Sequence, residues 1–186
     1  MHGIPAAGAY DDLFGRNPKM ASSDPEGDDA AALALRWYAG PPAERPVAVV
    51  TGAFDVLHVG HVRFLSAVRE RGFPLVVGVE DDARVRSWKG TGRPVHAEAD
   101  RAEMLAALRC VDGVFTVSGP PETVGWQAYA ALLAPLDPAA LAYTAGDPHS
   151  AAKRLGAEAL GAHAWELPFT AGRSTSATLG RLAGSL

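Results

Sequence analysis

Val47-Ala48-Val49-Val50-Thr51-Gly52-Ala53-Phe54-Asp55-Val56-Leu57-His58-Val59-Gly60-His61 is the stretch from which the rest of the chain is read. Its opening run, Val47 to Thr51, is apolar and β-branched, the pattern of a strand buried on both faces. The turn Gly52-Ala53-Phe54-Asp55 then hands over to a helical pattern over about His61 to Arg71. Two imidazoles, His58 and His61, stand three residues apart at that junction. A helix N-terminus presents unpaired N–H groups and a partial positive charge, so it is a ready site for phosphate. Gly60 between the histidines lets a ligand approach the backbone. The same spacing also serves metal ligands, and isolated histidine pairs often carry no function. From these residues alone all three readings stay open.

Outward from this stretch, strand and helix patterns alternate. Buried-strand runs occupy Val47–Thr51, Leu75–Val79, Val114–Val117, Leu141–Thr144 and Ala164–Leu167. Helical patterns occupy about His61–Arg71, Ala97–Arg109, Glu122–Leu133, Ser150–Leu160 and Ser176–Ala183. This alternation predicts an α/β domain: a Rossmann-like, doubly wound, parallel five-stranded sheet with helices on both faces. Ligands of such sheets bind beyond the C-terminal strand ends, where the winding reverses, and the first strand ends at Thr51. No Gly-x-Gly-x-x-Gly is present, which argues against a dinucleotide-dependent oxidoreductase. Residues 1–45 read as a flexible extension, rich in Gly, Pro, Asp and Ser up to about residue 29. Within it, Asp28 and Asp29 can cap a short helix through Trp37 and Tyr38, stopped by Gly40-Pro41-Pro42. Residues 46–186 read as the folded domain.

Composition narrows the function. The chain is 186 residues long, 48% hydrophobic and 20% charged, ordinary for a globular protein. A net charge of −4 gives no basic face for nucleic acid. The one cysteine, Cys110, excludes an internal disulfide and ends an apolar helical run, as a buried thiol does. No apolar run approaches the ~20 residues of a bilayer span, and the N-terminus lacks the basic and apolar regions of a secretory signal. A cytoplasmic protein with no membrane partner is expected.

Four blocks carry a family resemblance. The first is Thr51 to Leu65. The second runs from Asp82 through Lys89-Gly90-Thr91-Gly92-Arg93 to Pro94. The third is Asp100-Arg101 to Asp112, and the fourth Gly172-Arg173-Ser174-Thr175-Ser176. Together they resemble the cytidylyltransferase-like nucleotidyltransferases, whose signature is G-x-F-D-x-x-H-x-G-H. The second and third blocks are most similar to the adenylyltransferase half of the bifunctional ADP-heptose synthases. The resemblance runs from about Pro46 onward and implies transfer of a nucleoside monophosphate to a phosphorylated acceptor.

Roles follow from it residue by residue. The resemblance implies catalytic roles for His58, His61 and Lys89, the lysine bridging the two substrates' phosphates. It implies nucleotide contacts at Gly52, Ala53, Phe54, His58, Gly60, His61, Gly146, Asp147, Ser174, Thr175 and Ser176. Asp55, Lys89, Arg93, Arg101 and His149 are the acceptor-side candidates. The residues also allow other roles: loop support for Asp55, which is the favoured reading there over catalysis, helix-surface ion pairs for Arg93 and Arg101, and a plain helix cap for Ser174-Thr175-Ser176. Mg²⁺ is expected to arrive on the nucleoside triphosphate, with no dedicated protein metal site. A homodimer is expected.

The match departs from the family in two places. Heptose-specific relatives carry Lys-Gly-Gly-Asp after the fourth strand; here the run is Thr144-Ala145-Gly146-Asp147. His149 or Lys153 stands near enough in sequence to replace the missing cation. Glycerol-3-phosphate enzymes carry an arginine shortly before their Ser-Thr-Thr, a place held here by Thr170. The leading reading is AMP transfer from ATP to a sugar 1-phosphate such as heptose 1-phosphate. Its rivals are a cytidylyltransferase for a polyol phosphate or phosphonate, and a non-catalytic nucleotide-binding regulator.

Overall fold

A computed structural model describes residues 32–170, 172 and 175–184, with the backbone alone at 176, 177 and 182. The expected flexibility of residues 1–29 lies outside the described residues. The elements run β1 (Ala34–Ala39), β2 (Val47–Gly52), α1 (Val59–Arg69), β3 (Leu75–Glu80), α2 (Asp82–Lys89), α3 (Glu98–Ala106) and β4 (Gly113–Ser118). Then come α4 (Trp126–Leu133), β5 (Pro138–Thr144), α5 (Ser150–Ala159), β6 (His163–Leu167) and α6 (Thr175–Ala183). The six strands form one sheet in the order β1-β4-β3-β2-β5-β6. Five are parallel, and β1 lies antiparallel on the β4 edge. β2 sits between β3 and β5, so the winding reverses at its C-terminal end.

The central strands are apolar along both faces because both faces are covered. Val50, Leu75, Val77 and Val79 meet Leu65 and Val68 of α1 and Leu105 of α3. Val47, Val49, Val76 and Phe115 meet Leu133 of α4 and Ala157 of α5. Alternate residues of one strand thus feed two separate core layers, as the two-residue period demands. Gly78 in β3 is fixed by close approach. A Cβ there would lie 2.6 Å from the buried ring of Phe115.

Two expectations are corrected. The short helix through Trp37 and Tyr38 is strand β1, so the expected five-stranded sheet has a sixth strand from within residues 1–45. Along β1 exposure alternates residue by residue, with Leu35, Trp37 and Ala39 turned toward the protein. Paired with β4 in this way, Trp37 meets Phe115 edge-on at 5.6 Å. The second correction is α2, where no helix was expected. Its first turn is capped by Asp81, whose carboxylate accepts from Arg84 N at 2.8 Å, and Arg86 and Lys89 close its C-terminal turn. No described helix is long and apolar enough to cross a membrane.

Candidate active site at the strand crossover

The chain leaves β2 through residues 53–57 and enters α1 at His58. The two motif histidines build that helix start. Nδ1 of His58 accepts from Gly60 N–H at 3.1 Å, and His58 N–H donates to Nδ1 of His61 at 3.4 Å. The rings stack at 3.9 Å with 21° between their planes. Imidazoles therefore do what Ser and Glu do in an ordinary capping box. With both Nδ1 atoms accepting, the proton of each neutral ring sits on Nε2. Burial favours that neutral form and lowers the pKa of His58. His61 is pushed down to about 4 by burial, then by the charges of His58 and Lys89. The pair offers two neutral N–H donors at a helix N-terminus.

The loop before them is held in a costly conformation. Phe54 and Val56 have positive φ, 48° and 53°, which side-chain-bearing residues rarely adopt. Three separate segments pin it. The Asp55 carboxylate, 1% exposed, accepts from Arg93 Nε, from Val95 N–H at 2.9 Å and from His96 N–H at 3.2 Å. Burial alone would raise the Asp55 pKa, but these bonds and the Arg93 charge outweigh it and hold the carboxyl below its usual value. Arg101 of α3, fully buried, donates through Nη1 to Ala53 O, through Nε to His96 O at 3.0 Å and through Nη2 to Asp82 at 2.7 Å. Thr175, first residue of α6, donates its hydroxyl to Asp55 O at 2.8 Å.

Beyond this loop opens a cavity of about 420 Å³ at the C-terminal strand ends. His61 and the segment Gly52 to Asp55 line one side, and Lys89 stands at its rim. Burial of its ammonium, with Arg93 adding, lowers the Lys89 pKa against the pull of Asp55. The opposite side is Thr144 to His149. Gly146 there takes φ +79°, a backbone conformation suited to glycine. Lys153 of α5 reaches across, its Nζ 2.8 Å from Asp147 Oδ2 and 3.3 Å from Thr51 O. Burial opposes ionisation of Asp147, yet Lys153 wins and lowers its pKa. A cation on this wall thus comes from α5 rather than from position 144.

The structure brings most of the candidate residues together: Gly52 to Asp55, His61, Lys89, Gly146, Asp147, His149 and Thr175 all line the cavity. It does not bring all of them. His58 and Gly60 form the helix start behind His61, and Arg93 and Arg101 sit in the pinning network outside the cavity lining. Arg101, expected among acceptor contacts, donates to two backbone carbonyls and to the Asp82 carboxylate. Arg93 keeps one buried donor, Nη2, without a hydrogen-bond partner among the described residues. Ser174 and the Ser176 side chain lie outside the described residues.

Four residues that sequence reasoning did not select complete the cavity. Glu80, at the end of β3, is 2% exposed and lines it, as do Trp88, Trp126 and Tyr129. Glu80 Oε2 accepts from Arg84 Nε at 2.8 Å and Oε1 from the Tyr129 hydroxyl at 2.7 Å. The fully buried Arg84 also donates to Pro120 O, Thr123 O and Tyr129 Oη. The pair spans the end of β3 and the start of α2, a helix the sequence did not signal, so the i, i+4 spacing gave no warning of it. Tyr129 gave none, being 49 residues from its partner. No cluster of three or more acidic, His or Cys groups placed to hold a metal occurs among the described residues.

Such a site, beyond the C-terminal strand ends where the winding reverses, is where doubly wound sheets bind their ligands. Residues 49–123 match the family model described as Cytidylyltransferase-like. The chain is 50% identical over 90 residues to the bifunctional protein HldE of Streptomyces coelicolor, covering 48% of this chain and 19% of that one. It is 57% identical over 63 residues to the HldE of Geotalea uraniireducens, covering 34% and 13%. The matched region is thus less than a fifth of the length of these curated relatives. In fold it is similar to the lipopolysaccharide core biosynthesis protein of Thermoplasma volcanium. That likeness has a TM-score of 0.51 at 22% identity, over 66% of this chain and 94% of the other. From β2 to the segment just after β4, residues 49–123, the chain is thus cytidylyltransferase-like.

Proposed function

We propose that this domain transfers AMP from ATP to a sugar 1-phosphate, with heptose 1-phosphate the leading acceptor, and releases pyrophosphate. An acceptor phosphate oxygen forms the new bond to the α-phosphorus, and the bond from that phosphorus to the bridging oxygen of pyrophosphate breaks. The attacking phosphate is already ionised near neutral pH, so the site needs no general base. It needs to hold two anions together and spread the charge that grows on the α-phosphoryl oxygens.

The observation that carries this reading is the reciprocal histidine cap. It fixes both Nδ1 atoms as acceptors and leaves both Nε2–H groups as donors at the positive end of α1. Lys89, which lines the same cavity, would bridge the phosphates of the two substrates. Thr175 opens α6, so a β- or γ-phosphate there would meet that helix's free amides. Asp55 and Asp147 are already paired, so Mg²⁺ would be held by triphosphate oxygens and water, neutralising phosphate charge. Likeness to the HldE proteins favours a heptose phosphate and ATP over a polyol phosphate or phosphonate and CTP.

Pyrophosphate release tests this directly, across four nucleoside triphosphates and a panel of phosphorylated acceptors. ATP with a sugar 1-phosphate is expected to give the highest kcat/KM. Turnover only with CTP and a polyol phosphate or phosphonate would replace the substrate assignment. Triphosphate binding without turnover on any acceptor would leave a nucleotide-binding regulator.

A further inference from the structure

The Glu80–Arg84–Tyr129 cluster has no task in the chemistry above. Burying an ion pair is costly, and hydrophobic residues of similar volume commonly serve stability as well. This one is buried where its carboxylate faces the cavity. Glu80 is an acceptor of up to about four hydrogen bonds, and Arg84 and Tyr129 use two. The remaining lone pairs have no described donor. Around them the walls are aromatic: Trp126 and Tyr129 inside, and Trp88, 37% exposed, at the mouth with its ring 6.1 Å from His149.

The chemistry of this chamber is selective. Arg84 balances the charge of Glu80, and Lys153 is near enough for Glu80 to feel its charge. An ammonium would meet these two cations. A phosphate or carboxylate would meet Glu80. A hydroxyl donates to the carboxylate and brings no charge. Apolar aromatic walls with a few fixed polar groups suit the C–H face of a ring or chain whose hydroxyls point to the floor. β3 also lies on the opposite side of β2 from β5, so Glu80 stands across the histidine motif from Gly146 and Asp147.

We propose that Glu80, locked by Arg84 and Tyr129, is the acceptor-selecting residue, and that its carboxylate accepts a hydroxyl from the uncharged polyhydroxylated body of a sugar phosphate whose phosphate lies toward Lys89. This rests on the transfer reaction proposed above for the phosphate end alone. The hydroxyl end stands on the chamber itself.

The test is calorimetric titration of the wild type, Glu80→Gln and Tyr129→Phe with mannose 1-phosphate, heptose 1-phosphate and monodeoxy analogues of mannose 1-phosphate. ATP and CTP are titrated in parallel, and pyrophosphate release is followed separately. Glu80→Gln is expected to weaken sugar-phosphate binding by ~10-fold or more, the scale of one charge-assisted hydrogen bond. One monodeoxy analogue should bind the wild type correspondingly weakly and bind Glu80→Gln no worse than the parent sugar does. Tyr129→Phe should weaken binding about threefold by freeing the carboxylate, and triphosphate affinity should stay within twofold throughout. A folded Glu80→Gln that keeps wild-type sugar-phosphate affinity overturns the proposal. So does a parallel loss of triphosphate affinity, which would assign the chamber to the nucleotide. Should Glu80→Gln not fold, the deoxy series on wild type decides: no analogue weakened fivefold or more sinks the idea. Wild type that binds sugar phosphates but releases no pyrophosphate refutes the transfer reading and leaves the Glu80 comparison intact. Pyrophosphate release with other acceptors, and no sugar-phosphate binding, does the reverse.

Discussion

The two sides of the cavity are built on opposite plans. On the motif side, Ala53 O, the Asp55 carboxylate and carbonyl and His96 O all have partners inside the protein, supplied by Arg93, Arg101 and Thr175. Away from the motif, Glu80 on the β3 flank and the wall from Thr144 to His149 on the β5 flank line the open part of the cavity, backed by Arg84 and Lys153. The first plan fixes atoms in a strained backbone, which is what transition-state donors need. The second holds charges in place while leaving hydrogen-bonding capacity unused, which is what selection among ligands needs. A change on the motif side should cost rate and stability. A change on the open side should alter which molecule binds.

The largest expected effect is on the pinning residue Arg101. Arg101→Met removes the donors of two buried carbonyls, so it should cost about 3 kcal/mol of stability. Arg101→Lys should recover little, because one ammonium cannot reach three acceptors arranged around a planar fork. Chemical denaturation measures both. Losses below about 1 kcal/mol for Arg101→Met would mean the loop holds its shape without the clamp. Next comes His61→Ala, expected to lower kcat by about 10²-fold through loss of one transition-state donor. Its fold should survive, since the cap bond from Gly60 to His58 remains. A kcat within threefold of wild type would remove His61 from the reaction.

How much of this contrast could be read beforehand depends on where each partner lies in the chain. Strands β2 to β6 were legible because four of them are short apolar runs with no competing helical period. β1 was not, because Leu35, Trp37 and Ala39 mark a strand face only once β4 is beside them, and Gly40-Pro41-Pro42 ends a helix or a strand equally well. α2 hid because its buried positions are Arg84 and Val85, giving no apolar stripe. The histidine motif was legible as a helix start at a strand end, but its internal capping bonds were not, since Ser or Asp is the usual cap. Arg101 read as a phosphate-seeking cation because its acceptors are backbone carbonyls 5 and 48 residues away. On the open side Gly146, Asp147 and His149 were selected, whereas Glu80 and Tyr129 were not, because their contact joins residues 49 apart in the chain.

Protonation gives a milder handle on the motif side. The folded-state pKa of His61 is near 4, below the 6.5 of an unperturbed histidine. Between those values the unfolded chain binds a proton that the folded chain refuses. Stability therefore falls as pH drops from about 6.5 to about 4, and above 6.5 this contribution is constant. The depressed His58 adds in the same direction, whereas Asp55 and Asp147 act only below their usual carboxylate range. Melting temperature followed from pH 7 to pH 4 should decline more steeply in wild type than in His61→Gln. Parallel curves would mean that the imidazole is as easily charged in the folded protein as in the unfolded one.

The smallest expected effect, and the sharpest probe of the open side, is Thr144→Lys. Thr144 ends β5 and lines the cavity where heptose-specific relatives carry a lysine. Lys153 already brings one ammonium to this wall, held by Asp147 at 2.8 Å. A second cation would share that carboxylate and be partly screened, so its gain belongs with exposed ion pairs, about 0.5–1 kcal/mol. For a heptose 1-phosphate acceptor the Michaelis constant should fall by roughly twofold to fivefold, with kcat unchanged because His61 and Lys89 are not moved. Steady-state kinetics on both proteins reads this out, with salt titration as a control, since a gain from added charge must shrink as ionic strength rises. A kcat that falls with no gain in acceptor affinity would mean that the new side chain crowds a different substrate. The polyol-phosphate or phosphonate reading would then take precedence, and the contrast between a fixed motif side and a selecting open side would be drawn around Glu80 alone.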